Sequence, residues 1–258
     1  MRFTKMHGVG NDFVIFDTEE VAEVSLPDLA RRICDRHIGV GADGILVPGT
    51  SEVADLKMVY FNSDGSSSEM CGNGIRCLAR YAKDRGLVSG EAFTVETGAG
   101  VKKVVQLGAG SSRVDMGPPE FGSEVELHGY RFLQVSMGNP HAVAFLGSER
   151  RVEALDLEAV GPPVEDDPLF PEKTNVEFVH VRGEHEVRMR IWERGAGETL
   201  ASGSGSCAAA VAAVRRGLAE SPVRVALDGG SVKIEWAGEE ESVYMTGPAE
   251  YICEGELL

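Results

Sequence analysis

Residues 69–82 read EMCGNGIRCLARYA, and residues 200–213 read LASGSGSCAAAVAA. Each stretch sets a small nucleophile-type side chain, Cys71 or Ser202, directly before Gly-x-Gly. Each then opens into a helix-like run that stops at a glycine, Gly86 or Gly217. Free N–H groups at a helix start bind anions, and the helix dipole adds to the effect. A cysteine at that point has its thiolate favoured over the ordinary thiol near pKa 8.5, and a substrate carboxylate could use the same N–H groups. In the second copy CAAAVAAV is apolar on all sides, as a helix enclosed by a sheet must be.

Working outward from the two corners, the chain matches itself in order. GNDFVIF from Gly10 overlays GNPHAVAF from Gly138, ADGILV from Ala42 overlays TNVEFV from Thr174, and NSDG from Asn62 overlays ERGA from Glu193. The offset stays between 128 and 132. Four collinear matches point to an internal duplication, and duplicated domains commonly hold a ligand where they meet. Short β-branched segments such as FVIFD, KMVYF, AFTVET, NVEFVHV and EVRMRIWE read as strands between Gly, Asp and Ser turns. LPDLARRICDRHI reads as a helix and the proline-rich, acidic GPPVEDDPLFPEK as a surface loop. The expected fold is α+β: two similar domains, each a mostly antiparallel, barrel-like sheet around a central helix. The domains are expected over residues 1–117 and 118–246, with a C-terminal strand in 247–258 as a candidate to complete the first.

Composition narrows the function. A formal charge of -16 repels phosphate backbones and anionic lipid, so neither nucleic acid nor a membrane is an expected partner. The N-terminus has no signal-peptide hydrophobic stretch and the longest apolar run, residues 207–214, is too short to span a bilayer, so a cytoplasmic location is expected. Five cysteines without a CxxC pair suit a reducing compartment, and the scattered His and Cys residues lack zinc spacing; no metal is expected. GSGSCA from Gly203 fits G-x-G-x-x-A, but a polar loop precedes it where a dinucleotide site needs a strand.

The polar residues around the corners form a candidate pocket. Asn11 and Asn139 sit at matched strand starts, while Asn62, Asn73 and Asn175 lie in loops that lead to or form the corners. Singly each asparagine reads as a turn former; together their matched placement favours a pocket. His141 is a candidate base partner for a thiol or a structural histidine. Glu193 and Arg194 read as a carboxylate base and a carboxylate clamp, or as a surface ion pair.

NSDGSSSEMCGNGIR closely resembles the signature of diaminopimelate epimerases, and KMHGVGNDFVIFD, GVGADGIL, SMGNPHAV, TNVEFV and ERGAGETLASGSGSCAAA resemble that family's other blocks in order, over essentially the whole chain. The resemblance implies two similar domains closing over an amino-acid substrate and conversion of LL-diaminopimelate to the meso form without pyridoxal or any other cofactor. Two cysteines would face opposite sides of one α-carbon. By motif Cys71 is one, with His141 as its partner; Glu193 would assist the second acid/base. Asn11, Asn62, Asn139, Asn175 and Arg194 would hold substrate, with backbone groups of Gly72, Asn73, Gly203 and Ser204. Asn62, Asn175 and Arg194 are candidates for the distal amino-acid centre. A homodimer would suit the resemblance.

One departure stands out: the second cysteine belongs immediately before Gly203, where this chain has Ser202. Cys207 cannot replace it, since five helical residues move it about 7.5 Å along the axis and about 140° around it. A serine hydroxyl is a far weaker acid than a thiol and needs an activating group such as Glu193. Three readings stay open at this point: a weakened epimerase, a relative with another amino-acid substrate (histidine racemases share the scaffold) or a one-sided reaction, and a binding protein without turnover.

Overall fold

The computed structural model describes residues 1–67, 70–108 and 110–258. In chain order the elements are β1 (Arg2–Gly8), β2 (Asn11–Ile15), α1 (Leu26–Ile33), β3 (Gly44–Gly49), β4 (Leu56–Asn62), α2 (Gly72–Asp84), β5 (Ala92–Thr97), β6 (Gly100–Leu107), β7 (Ser111–Gly117) and β8 (Glu120–Leu127). There follow β9 (Tyr130–Ser136), β10 (Pro140–Phe145), α3 (Glu149–Glu153), α4 (Leu157–Glu165), β11 (Asn175–Gly183), β12 (Glu186–Glu193) and the two-residue β13 (Gly197–Glu198). The chain ends with α5 (Gly203–Arg215), β14 (Val223–Leu227), β15 (Gly230–Glu235), β16 (Val243–Pro248) and β17 (Glu250–Glu256). Two compact units result: Met1–Val114 with Gly247–Leu258, and Asp115–Thr246.

In the first unit the strands run β17-β1-β2-β3-β4-β5-β6-β7, antiparallel except at β2–β3 and β4–β5. In the second they run β8-β9-β10-β11-β12-β14-β15-β16, antiparallel except at β10–β11 and β12–β14. The two series of orientations are the same, so β17 holds in the first unit the place that β8 holds in the second. Parallel neighbours need a crossover, and here each crossover contains helix: α1 links β2 to β3, α2 links β4 to β5, α3 and α4 link β10 to β11, and α5 links β12 to β14.

Alternation along the strands divides each sheet into two faces. Val14, Phe16, Ile45 and Val47 pack on Leu29, Ala30 and Ile33 of α1; Ala142, Ala144, Val176 and Phe178 pack on Val152 of α3 and on Leu157 and Val164 of α4. Each such fully buried large apolar side chain contributes about 1.5–3 kcal/mol. The opposite faces meet the central helices. Ten of the thirteen residues of α2 are buried, as are ten of the thirteen of α5. Helix α5 touches β9, β10, β11, β12, β14 and β15, and α2 touches β1, β2, β3 and β6, so each sheet wraps its own helix.

Two local expectations are corrected. The first helix ends at Ile33 rather than continuing to Ile38, because the Asp35 carboxylate accepts the N–H groups of His37 and Ile38 and builds a turn. GPPVE is helical, not loop: α4 includes Pro162 and Pro163. Its N-cap, Asp156, accepts from Ala159 N, Gly161 lies so close beneath Trp192 that no Cβ would fit, and Glu165 accepts the Trp192 indole N–H at 2.7 Å. Packing overrides the two lost backbone donors.

Candidate active site

Strand order brings the predicted residues to one end of each sheet. In the first unit β2 begins at Asn11, β3 at Gly44, β4 ends at Asn62, and α2 starts after Cys71. In the second, β10 begins one residue after Asn139, β11 begins at Asn175, β12 ends at Glu193, and α5 starts after Ser202. The register is shared: Phe13 pairs Gly44 as His141 pairs Asn175. Gly44 thus matches Asn175, which moves the sequence overlay of that segment by one residue and, in a strand, exchanges the faces.

Cys71 is the N-cap of α2, its sulfur accepting from Gly74 N at 3.3 Å. Asn11 Oδ1 accepts from Asn73 Nδ2 at 3.1 Å and lies 3.7 Å from Cys71 Sγ. Asn11 Nδ2 donates to Asp43 at 2.6 Å, and Arg36 bridges Asp43 and Asp12, each at 2.8 Å. Burial works to raise the Asp12 carboxyl, but Arg36 and Lys5 prevail and hold it below the usual range. Below the corner the buried Arg76 guanidinium donates to Gly72 O and to Asn73 Oδ1. Asn62 accepts from Tyr60 Oη at 2.5 Å and donates to Ser66 Oγ at 2.9 Å, and the N–H of the next residue, Ser63, donates to Asp43 O. Burial raises the thiols of Cys34 and Cys77 to about 12, which suits packing rather than proton transfer; Cys207 is also fully buried.

Ser202 is the N-cap of α5, its hydroxyl accepting from Gly205 N at 3.3 Å, and the Glu193 carboxylate accepts from the Thr199 hydroxyl. Burial pushes Glu193 above the ordinary carboxylate range, against the lowering pull of the nearby Thr199 and Ser202 hydroxyls. Asn175 Oδ1 accepts Arg194 N at 3.0 Å and its Nδ2 donates to Pro140 O at 2.8 Å. The exposed Arg194 side chain donates to Glu172 O. Gly195 N and Trp192 Nε1 both donate to Glu165, fixing the loop that follows Glu193. Asn139 Nδ2 reaches Ser204 Oγ at 3.3 Å.

His141 has both ring nitrogens engaged inside the second unit: Nδ1 with Glu177 Oε1 at 2.6 Å and Nε2 with Asn139 Oδ1 at 3.0 Å. These bonds serve an acid and an amide rather than a thiol. Glu177 and Asp43 were not among the residues singled out from sequence. A glutamate inside the apolar strand NVEFV was the signal for the first; Asp43, in the Gly-rich GVGADG, had none of its own. Among the described residues no three His, Cys, Asp or Glu side chains gather as a metal site requires, and no helix is long and apolar enough to cross a membrane.

The family model for diaminopimelate epimerase matches residues 3–122 and again 133–252. The chain belongs to the diaminopimelate epimerase family. It is 48% identical to the diaminopimelate epimerase of Desulfitobacterium hafniense, covering 100% of this chain and 98% of that one, and 47% identical to that of Moorella thermoacetica, covering 100% and 99%. Among solved structures, a phenazine biosynthesis protein of the PhzF family from Bacillus anthracis aligns over 100% of this chain and 99% of its own, with a TM-score of 0.77 and 17% identity. A probable proline racemase from Agrobacterium radiobacter aligns over 100% and 92%, with a TM-score of 0.74 and 14% identity. These remote likenesses show that the family's two-domain frame is a wider fold.

Proposed function

We propose that this chain epimerises LL-diaminopimelate to the meso form by taking a proton from one face of the α-carbon and returning one to the other, without a cofactor. Inversion needs two acid/base groups, and each unit supplies one at the start of its central helix. Cys71 serves one face. Ser202 serves the other with help from the nearby Glu193, whose raised carboxyl makes a stronger base than an ordinary glutamate. The N–H groups at Gly72, Asn73, Gly203 and Ser204 and the side chains of Asn11 and Asn139 bind the reacting amino acid; Asn62, Asn175 and Arg194 receive its distal end.

The observation that carries this reading is the repeated capped corner, thiol in one copy and hydroxyl in the other, in a chain matched end to end by named diaminopimelate epimerases. The oxygen-bearing corner makes turnover slow, since a well-matched acid/base contributes about 10²- to 10⁴-fold. Acidic charge and thiol cysteines suit a small zwitterionic substrate in a reducing cytoplasm.

Incubation with LL-diaminopimelate in deuterated water tests the proposal. Inversion gives meso product carrying deuterium at the α-carbon. Label in unchanged substrate alone would reduce the activity to one-sided exchange, and binding without label or product would overturn it.

A further inference from the structure

Matched positions of the two sheets carry different chemistry. Phe13 and Leu46 of the first unit, both fully buried, correspond by register to His141 and Glu177 of the second, also buried. The helix glycines confirm the match: a Cβ on Gly74 would lie 3.5 Å from Leu46 Cδ2, and one on Gly205 would lie 2.9 Å from Glu177 Oε1. An apolar pair therefore fits this place. Burying an acid and an imidazole there instead costs desolvation, which the 2.6 Å bond between them only partly offsets. Glu177 Oε2 adds to the cost, having no hydrogen-bond partner among the described residues.

The bonds follow one another from this floor to the helix start. Glu177 meets His141 Nδ1, His141 Nε2 meets Asn139 Oδ1, and Asn139 Nδ2 donates to Ser204 Oγ on α5. Asn139 can accept at Oδ1 only if Nε2 carries a hydrogen. A single proton in the bond between Glu177 Oε1 and His141 Nδ1 then satisfies every contact. It sits on either atom and leaves the buried pair neutral as a whole, consistent with burial holding the Glu177 carboxyl above its ordinary range.

We infer that Glu177 is a positioning residue: with His141 it keeps Nε2 protonated and so turns the Asn139 amide with its NH2 group toward the start of α5, as a fixed donor to the amino acid bound there. This inference rests on the proposed epimerase reading for the identity of that amino acid. It gives the second corner a donor set by a buried acid, where Asn11 of the first corner is set by Asp43 and Asn73.

The test uses the full chain as it stands, Glu177→Leu and Glu177→Gln, each also with Ser202→Cys to raise turnover. Long-range proton–nitrogen NMR of the His141 ring reads which nitrogen carries hydrogen, with or without activity. The expected result is hydrogen fixed on Nε2 in the unsubstituted chain and in Glu177→Gln, whose amide donates to Nδ1, and a mixture of tautomers in Glu177→Leu. With LL-diaminopimelate, Glu177→Leu should raise KM by roughly 10- to 10²-fold, as loss of a hydrogen bond to a charged ligand group does, with kcat less affected and Glu177→Gln near the unsubstituted value. An unchanged ring in Glu177→Leu, or a Gln variant as impaired as the Leu variant, overturns the inference. Should Glu177→Leu fail to fold, Glu177→Gln decides: ring hydrogen moved to Nδ1 overturns it. Absence of α-proton exchange both in the unsubstituted chain and in Ser202→Cys would defeat the epimerase reading instead, while the ring spectra still judge Glu177.

Discussion

The two helix-start corners share a backbone and differ in what lies under it. In the first, the capping atom is the Cys71 sulfur, the floor is Phe13 and Leu46, and the charged residues Asp43, Arg36, Asp12 and Lys5 support Asn11 from beside the strands. In the second, the capping atom is the Ser202 oxygen, the floor is His141 and Glu177, and burial raises the nearby Glu193 carboxyl. A thiol titrates close enough to neutrality to exchange protons without a further group, so its surroundings can stay apolar. A hydroxyl cannot, and it needs a carboxylate beside it. On the proposed reading, one duplicated frame supports one corner whose chemistry resides in the cap and another whose chemistry is borrowed from the residues around it.

The sharpest break of this comparison exchanges the caps. Cys71→Ala should lower α-deuterium incorporation from LL-diaminopimelate by roughly 10²- to 10⁴-fold, because nothing beneath the first corner can replace the thiol. Ser202→Cys should raise the rate of inversion by a factor in the same range. In the unsubstituted chain, transfer through Ser202 should weaken as pH falls through the raised Glu193 value, since the protonated acid no longer accepts; with Ser202→Cys that dependence should diminish. Equal losses on truncating Cys71 and Ser202 to alanine, read from product chirality and label, would mean that the two caps do the same work.

Exchanging the floors is the next largest effect, and it is read in stability. Glu177→Leu alone leaves a neutral His141 with an unpaired ring nitrogen and should cost about 1–3 kcal/mol, whereas His141→Phe with Glu177→Leu restores the apolar pair of the first unit and should be neutral or stabilising by about 1–4 kcal/mol. Chemical denaturation of the three chains measures this. The pH sign follows from Glu177, whose carboxyl is raised in the fold by burial despite His141. The fold then binds that proton more tightly than the unfolded chain does. Its contribution is fully present below the unfolded carboxyl value of about 4.3 and is lost as pH rises through the folded value. The double variant should lose this part of the slope; Glu193 would keep its own.

The duplication, the glycine corners and the enclosed alanine-rich helix were legible because each is a local pattern: four collinear blocks and an all-apolar run state them outright. The matched polar residues followed, since Asn11 and Asn139 lie at matching points of the two strand starts. What sequence could not show was pairing across strands. Glu177 meets His141 only because β10 and β11 run parallel in one register, and an overlay displaced by one residue placed Asp43 over Asn175. Helix α4 escaped for another reason: propensity reads Pro162 and Pro163 as breakers, while the Trp192 ring over Gly161 decides otherwise.

The smallest effect separates capping from chemistry. Both caps accept one N–H at 3.3 Å, Gly74 to sulfur and Gly205 to oxygen. Sulfur is the weaker acceptor, so the helices should depend on their caps unequally. Ser202→Ala should cost about 1 kcal/mol of stability, the ordinary loss of a serine cap. Cys71→Ala should cost less, and Cys71→Ser should be neutral or gain a few tenths of a kcal/mol while removing the thiol to which the proposed function assigns exchange. Denaturation midpoints and deuterium incorporation measured on the same samples decide the matter. If Cys71→Ser lost stability in proportion to activity, the sulfur would be holding the helix as well as moving protons, and the two corners would differ in structure as much as in chemistry.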